Sequence, residues 1–340
     1  MSINMLPNWN IAVTGGDGFI GSHLTEFLVK QGIRPYVITR RKNLRRISHL
    51  VDRITLIHAD LQNFDEVKRT LRGMDVVFHL ASRVAGIQYN IRHPAVMFEE
   101  NVAITLNLLR ASRLCDIKRL LIVSSTCVYP RYATVPTPES EGFLGEPEPT
   151  NLGYGWAKRF AEKAAELFYK EYGMKIAIVR PENVYGPRDN FEPETAHVIP
   201  SLIRRAYESN YKLIVWGSGK QTRSFIYVTD VVEAMCLAIE KYAVADPINI
   251  GSSEEITIGE LAKTILDIMN KSNVKIVYDT SKPDGMPRKV ADVTKMRNFL
   301  GFKPKISLYQ GLKATIEWFL DNIQTSCQQA SSDALLGGRQ

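Results

Sequence analysis

The sequence predicts an α/β fold, a doubly wound parallel sheet with a smaller C-terminal substrate-binding part, and three observations predict it. Short β-branched runs alternate with longer helical patterns through the first 180 residues. A glycine-rich turn follows the first apolar run at once. After Pro181 the alternation gives way to short elements separated by loops rich in Gly, Pro and Asn.

The elements follow in order. Ile11–Thr14 reads as a buried strand, followed by a helix to about residue 31. Strands are predicted at 33–39 and 54–59, a helix at Phe64–Leu71 and a strand at 76–81. A helix over about 95–115 leads to a strand at 120–124, and a helix over about 154–172 leads to a strand at 176–180. Right-handed crossovers then set most of the topology. Residues 130–151 hold five prolines and break the rhythm. A long irregular loop inside a compact unit usually serves function. Residues 325–340, polar and rich in small side chains, read as a disordered tail.

Composition excludes other classes. The 340 residues, 45% hydrophobic and 23% charged, form one large or two smaller globular units rather than a disordered or collagenous chain. No apolar run reaches the ~18 residues of a membrane helix, and the start MSINMLPNWN lacks the pattern of a secretory signal. Four scattered cysteines without a CxxC pair predict no disulfide framework, no metal site and a reducing, cytoplasmic setting.

Gly15-Gly16-Asp17-Gly18-Phe19-Ile20-Gly21 fits both GxGxxG and GxxGxxG spacing. One glycine permits the tight turn, one lets the backbone approach a pyrophosphate, and one lets helix and strand pack closely. The helix N-terminus behind them presents free N–H groups to phosphate. A plain glycine turn is the alternative, but the place at the first strand–helix junction favours a Rossmann-type dinucleotide site. Gly15, Gly18, Phe19, Ile20 and Gly21 are its expected contacts. The dinucleotide-binding domain then spans 1–180, with 225–250 returning to it, and 181–324 form mainly the substrate-binding domain.

The second strand ends in Ile38-Thr39-Arg40-Arg41-Lys42, with no carboxylate for a ribose 2′-hydroxyl. Arginine there pairs with a 2′-phosphate, so NADP(H) is preferred over NAD(H), with Arg40 and Arg41 as contacts. Part of the net charge of +7 lies in this cluster, which continues to Arg45 and Arg46. A solvated basic face is the bland alternative. Nucleic acid is disfavoured as a partner, because no aromatic residues interleave with the charges and no binding motif is present. Asp60-Leu61 is placed either to meet an adenine or, through Asp60, to cap a helix.

Tyr154 and Lys158 stand at i and i+4, on one face of a helix. A phenol of ordinary pKa ~10 gains acid–base power when an adjacent ammonium lowers it. The strand ending Ser124-Ser125-Thr126-Cys127 supplies hydroxyls at the carboxyl end of the sheet, where such folds bind ligands.

Here the chain resembles the extended short-chain dehydrogenase/reductase family of nucleotide-sugar enzymes, the NAD-dependent epimerase/dehydratases. The resemblance rests on residues 14–21, Asp60-Leu61, His79-Leu80-Ala81-Ser82, Ser125, Tyr154 and Lys158. It implies that Ser125 positions the substrate oxygen, Tyr154 exchanges its proton, and Lys158 tunes the tyrosine and holds the nicotinamide ribose. It also implies that Leu80, Ala81 and Ser82 border the cofactor. It further implies a homodimer formed through a four-helix interface that includes the Tyr154 helix.

Further segments resemble one branch, the GDP-L-fucose synthases. They are Ser125-Thr126-Cys127-Val128-Tyr129-Pro130, Glu148-Pro149-Thr150-Asn151, Asn183-Val184-Tyr185-Gly186-Pro187 and His197-Val198-Ile199-Pro200. Val215-Trp216-Gly217-Ser218-Gly219 and Lys282-Pro283-Asp284-Gly285 with Pro287-Arg288-Lys289 follow. The implied partner is a nucleotide-diphosphate sugar, and the implied activity is NADPH-dependent 3,5-epimerisation and 4-reduction of a GDP-4-keto-6-deoxy-hexose. Asn183, Arg205, Trp216, Arg223 and Lys282 are the implied substrate contacts. Epimerisation beside a ketone needs a base on one ring face and an acid on the other, and Cys127 and His197 suit those roles. Their alternatives are a small buried hydrophobe and a helix-cap or core histidine. Trp216 has core packing as its alternative; Arg205 and Arg223 have solvent.

Two other functions compete. One is a nucleotide-sugar epimerase with tightly bound NAD(P), of the GDP-mannose 3,5-epimerase or 4-epimerase kind. The other is an NADP-binding redox-sensing scaffold, which would have no use for Ser125, Tyr154 and Lys158.

Overall fold

The structure, a computed structural model, describes residues 9–282 and 285–337. Its first half alternates β1 (Ile11–Thr14), α1 (Phe19–Lys30), β2 (Tyr36–Thr39), β3 (Thr55–His58), α2 (Phe64–Leu71) and β4 (Val76–His79). α3 (Ile87–Arg92), α4 (Pro94–Leu114), β5 (Arg119–Val123), α5 (Leu152–Tyr172) and β6 (Ile176–Pro181) follow. Next come β7 (Val184–Tyr185), α6 (Val198–Glu208), β8 (Lys212–Trp216), β9 (Thr222–Ser224), β10 (Ile226–Tyr227), α7 (Val228–Lys241) and β11 (Val244–Ile250). The chain closes with β12 (Glu255–Thr257), α8 (Ile258–Ile268), β13 (Lys275–Asp279), β14 (Arg288–Lys289) and α9 (Leu308–Gly337).

Seven parallel strands form the main sheet in the order β11-β6-β5-β4-β1-β2-β3. Alternate side chains of β1 enter different cores, as the strand period requires. Ile11 and Val13 pack with Leu24 and Leu28 of α1 and Val231 and Met235 of α7. Ala12 packs on the other face with Val67 of α2, Leu108 of α4 and Ala161 of α5. Burial on both faces is why these strands read as continuous apolar runs. A third core joins Ile203 of α6, Leu213 of β8, Leu261 of α8 and Leu312 of α9. Two strand pairs, β10-β7 and β13-β8, and the three-stranded β12-β9-β14 carry this later part.

Local chemistry sets the element ends. Asn63 caps α2, its Oδ1 accepting the N–H groups of Asp65 and Glu66. Thr257 and Glu260 close a capping box on α8. β2 starts at Tyr36 instead of residue 33, because the Ile33 N–H turns back to the Leu28 carbonyl and Pro35 has no N–H for a ladder. The 130–151 loop is pinned rather than loose. The Thr137 N–H donates to Val290 O, and the Glu139 carboxylate accepts from the Asn249 N–H. Over 325–337 the structure differs from the expected disorder, since the backbone continues α9; Gln, Ala and Leu in this stretch favour helix. Residues 338–340 lie outside the described residues.

Candidate active site

The glycine turn forms a tight cradle at the end of β1. Gly15 has φ +67°, and a Cβ there would stand 2.9 Å from the Ala81 backbone. A Cβ on Gly21 would stand 2.0 Å from the Gly15 carbonyl. Both positions therefore exclude a side chain, which draws the start of α1 against the turn. The first N–H groups of α1, at Phe19, Ile20 and Gly21, have no partner within the helix by geometry and face the turn. The far wall is fixed by Thr14, whose Oγ1 accepts from the Ala81 N–H and lies 2.8 Å from His79 Nδ1. Burial, reinforced by the Lys158 charge, lowers His79 to about 3, so this imidazole is a neutral structural bridge. These features fit a dinucleotide pyrophosphate.

Beyond the cradle lies a groove of about 950 Å³ whose walls include Asp17, Arg41, Arg46 and Asp189. Arg40 is exposed at the end of β2. Arg41 and Arg46, rather than the expected Arg40–Arg41 pair, line this groove; the chain bends at Arg40, where the Thr39 hydroxyl accepts the Arg41 N–H. Asp60 is not the cap of α2; its Oδ1 accepts the Gln62 N–H while its side chain stays exposed. Leu61 is buried in the core beside Val67 and Leu71, so it offers no side-chain face to a ligand.

Tyr154 and Lys158 project from the first turns of α5. Gly155 lets this helix approach the β5 end, since a Cβ there would meet the Cys127 carbonyl at 2.7 Å. Lys158 is buried; its Nζ donates to the Val123 carbonyl at 2.8 Å and lies 5.3 Å from the Tyr154 ring centroid. Burial lowers Lys158 to about 8, against the raising influence of Cys127 and Glu162. The expectation that Lys158 lowers the Tyr154 pKa is corrected. Burial pushes the phenol up, Cys127 beside it adds to the rise, and only a hydrogen bond with Ser82 opposes them. Ser125 accepts the Cys127 N–H at 3.1 Å, which turns the chain so that Cys127 follows the strand end.

Cys127 is half-buried and lines a small cavity of about 20 Å³ with Glu148, Glu182 and Lys289. That is not the setting of a core hydrophobe. His197 occupies the N-cap position of α6 but makes no capping bond with its side chain. The residue is exposed, and lost solvation of its ring together with the Lys289 charge lowers its pKa. Lys289 thus links the surroundings of Cys127 and His197. Glu182 is buried; its Oε2 accepts from Ser224 Oγ at 2.6 Å and from the Ala291 N–H at 2.9 Å. Those bonds tie the segment carrying Lys289 to the end of β6.

The remaining sequence-assigned residues divide. Trp216 is 54% exposed, which overturns core packing. The Arg205 guanidinium and Lys282 Nζ lie 5.9 and 5.8 Å from its ring centroid, so these three assemble into one cationic aromatic platform. Arg205 also donates to the Ile214 carbonyl. Arg223 donates to Thr222 O and Met286 O and has Glu148 and Glu182 as charged neighbours. It therefore sits with Cys127's cavity rather than with Trp216. Asn183, at φ +40°, donates to the Ser224 carbonyl. Glu148, Glu182 and Lys289 were missed as site residues. Two of them lie in segments whose pattern is visible in the sequence, but nothing in the spacing of Glu182 marks it.

A buried ion pair underlies the site. Glu162 Oε1 accepts from Ser124 Oγ and from Arg180 Nε, and its Oε2 accepts from Arg180 Nη2 at 2.6 Å. Both side chains are at most 2% exposed. Removing one partner strands a buried charge, at a typical cost of ~3–5 kcal/mol. Glu162→Ala is expected to lose about that much stability in urea unfolding; a change below ~1 kcal/mol would contradict the assignment.

Among the described residues no group of three or more His, Cys, Asp or Glu could hold a metal ion, and no helix is long and apolar enough to cross a membrane. The chain belongs to the NAD dependent epimerase/dehydratase family, whose profile matches residues 11–251. It is 36% identical over 325 residues to GDP-L-fucose synthase of Escherichia coli (strain K12), covering 92% of this chain and 97% of that one. It is 34% identical to putative GDP-L-fucose synthase 2 of Arabidopsis thaliana, covering 92% of each. Among solved structures it is similar to a UDP-glucose 4-epimerase with UDP-glucose from Thermotoga maritima, with TM-score 0.83, 31% identity and coverage of 92% and 99%. A GDP-L-fucose synthetase from Naegleria fowleri bound to NADP superposes with TM-score 0.79 at 25% identity, covering 96% and 97%.

Proposed function

We propose that this chain is a nucleotide-sugar 3,5-epimerase/4-reductase that acts on a GDP-4-keto-6-deoxy-hexose with NADPH. The observation that carries the reading is Cys127, a thiol beside Tyr154 and Lys158 and in one cavity with Lys289. A plain reductase needs the tyrosine and lysine; the thiol adds a second acid–base group at the same ring. Similarity to GDP-L-fucose synthases supports it.

Gly15, Gly18 and Gly21, with the first N–H groups of α1, would hold the pyrophosphate; Arg41 would hold a 2′-phosphate and Lys158 the nicotinamide ribose. The cofactor, when bound, supplies the hydride for carbon 4. Cys127 removes the proton from carbon 3 or 5, made acidic by the 4-carbonyl, and His197 returns one from the opposite face. The lowered His197 pKa makes the neutral ring its resting form near pH 7, and the negative charge of a bound substrate favours its protonation. Ser125 positions the carbonyl oxygen and Tyr154 protonates it. Trp216, flanked by Arg205 and Lys282, offers a stacking face for the base.

The test is turnover of GDP-, UDP- and dTDP-4-keto-6-deoxy sugars with NADPH, with deuterium wash-in followed by NMR. The expected result is NADPH consumption with exchange at carbons 3 and 5 of the GDP sugar. Reduction without exchange would overturn the epimerase half. A nucleotide-sugar epimerase that keeps its cofactor bound is the second reading, favoured by similarity to the 4-epimerase structure; it predicts product without net NADPH oxidation.

We also propose a cytoplasmic homodimer. Cys115, Cys127 and Cys236 are free thiols, which suits a reducing compartment. α4 and α5 pack together and leave Phe98, Leu152 and Leu167 exposed. Leu167→Asp is expected to convert a two-chain mass to a one-chain mass in light scattering, and an unchanged mass would count against this face.

A further inference from the structure

The end of β2 carries no acid, whereas the glycine turn carries one, Asp17. Asp17 is only 5% exposed and lines the groove together with Arg41. Its Oδ2 stands 3.7 Å from Arg41 Nη1 and accepts no hydrogen bond. Arg46 is held differently: its Nε donates to the Arg188 carbonyl, and the charges of Asp189 and Asp17 act on it. Asp189 Oδ2 also lacks a donor. Arg41, Arg46, Asp17 and Asp189 thus line the same groove, and burial raises the Asp189 carboxyl to about 7.

The adenosine ribose of a bound dinucleotide lies at the end of the second strand, next to the turn that holds its pyrophosphate. A free 2′-hydroxyl is a donor and satisfies a buried carboxylate oxygen that has none. A 2′-phosphate brings negative charge and no donor near neutrality. It must draw Arg41 from Asp17 and then face that carboxylate. Asp17 and Arg41 therefore favour opposite cofactors.

We propose that Asp17 is a specificity-determining residue that accepts the adenosine ribose hydroxyl of NAD(H) and limits the preference for NADP(H), leaving both cofactors usable. The proposal rests on the reading of the turn as a nicotinamide-dinucleotide site.

The experiment is calorimetric titration of the full chain with NADP⁺ and with NAD⁺, for the native protein and two variants. Asp17→Ala removes charge and acceptor together. It is expected to tighten NADP⁺ about tenfold and to weaken NAD⁺ about fivefold. Asp17→Asn keeps the volume and an acceptor oxygen but loses the charge. It is expected to tighten NADP⁺ comparably while NAD⁺ moves less than about threefold. Native binding of both dinucleotides with a ratio unmoved in both variants overturns this proposal alone. Native binding of neither overturns it together with the reading beneath it.

Discussion

Cys127→Ser is expected to abolish exchange at carbons 3 and 5 while the cofactor still binds. A serine hydroxyl has nearly the shape of the thiol but ionises far above neutrality, whereas an ordinary thiol lies near 8.5. Removing one acid–base group costs ~10²–10⁴-fold in rate. The backbone has little reason to move, because the Cys127 N–H bond to Ser125 and the close packing of Gly155 on the Cys127 carbonyl do not involve the side chain. Deuterium wash-in without NADPH isolates this step from reduction. Native-like wash-in in the variant would remove Cys127 from the mechanism and leave a 4-reductase or a 4-epimerase as the better reading.

Tyr154→Phe is expected to lower NADPH oxidation with the keto sugar by ~10²–10⁴-fold, with dinucleotide binding retained. The variant loses only a hydroxyl. Because burial and Cys127 push the phenol up, Tyr154 carries its proton throughout the neutral range, which is the form needed to protonate an oxygen as hydride arrives. Lys158 adds a pH signature. Its ammonium is present below about 8 and lost above it, since burial lowers it from its ordinary value. The native reduction rate is therefore expected to fall as pH rises through about 8. A near-native rate in Tyr154→Phe would exclude Tyr154 as the donor, and a flat profile from pH 7 to 9 would exclude a role for the Lys158 charge.

The main sheet was legible because strands buried on both faces must be apolar throughout. Ile11–Thr14 and Phe64–Leu71 are observed at the bounds the pattern predicts. The later elements were less legible. β9, β10 and β14 are two or three residues long, too short for any period to show. Leu61 illustrates a different gap. Its place after β3 suggested a ligand contact, yet an apolar side chain next to a core follows the larger apolar surface inward.

By itself the sequence determined the dinucleotide turn, the Tyr154–Lys158 pair and the strand-end Ser125–Cys127 turn. Each is a local pattern in which the chemistry and the spacing lie within a few residues. Only the tertiary structure decided the rest, because each feature depends on residues far apart in the chain. Lys289 reaches the surroundings of both Cys127 and His197 because Glu182 holds the Ala291 N–H. Trp216 gains cations from α6 and from the segment after β13 because β8 and β13 pair in register. Burial set the Tyr154 phenol above its ordinary value, although the i, i+4 spacing to Lys158 alone suggests the opposite. Spacing shows which charges are near, but the solvent that each group loses on folding is a property of the whole packed molecule.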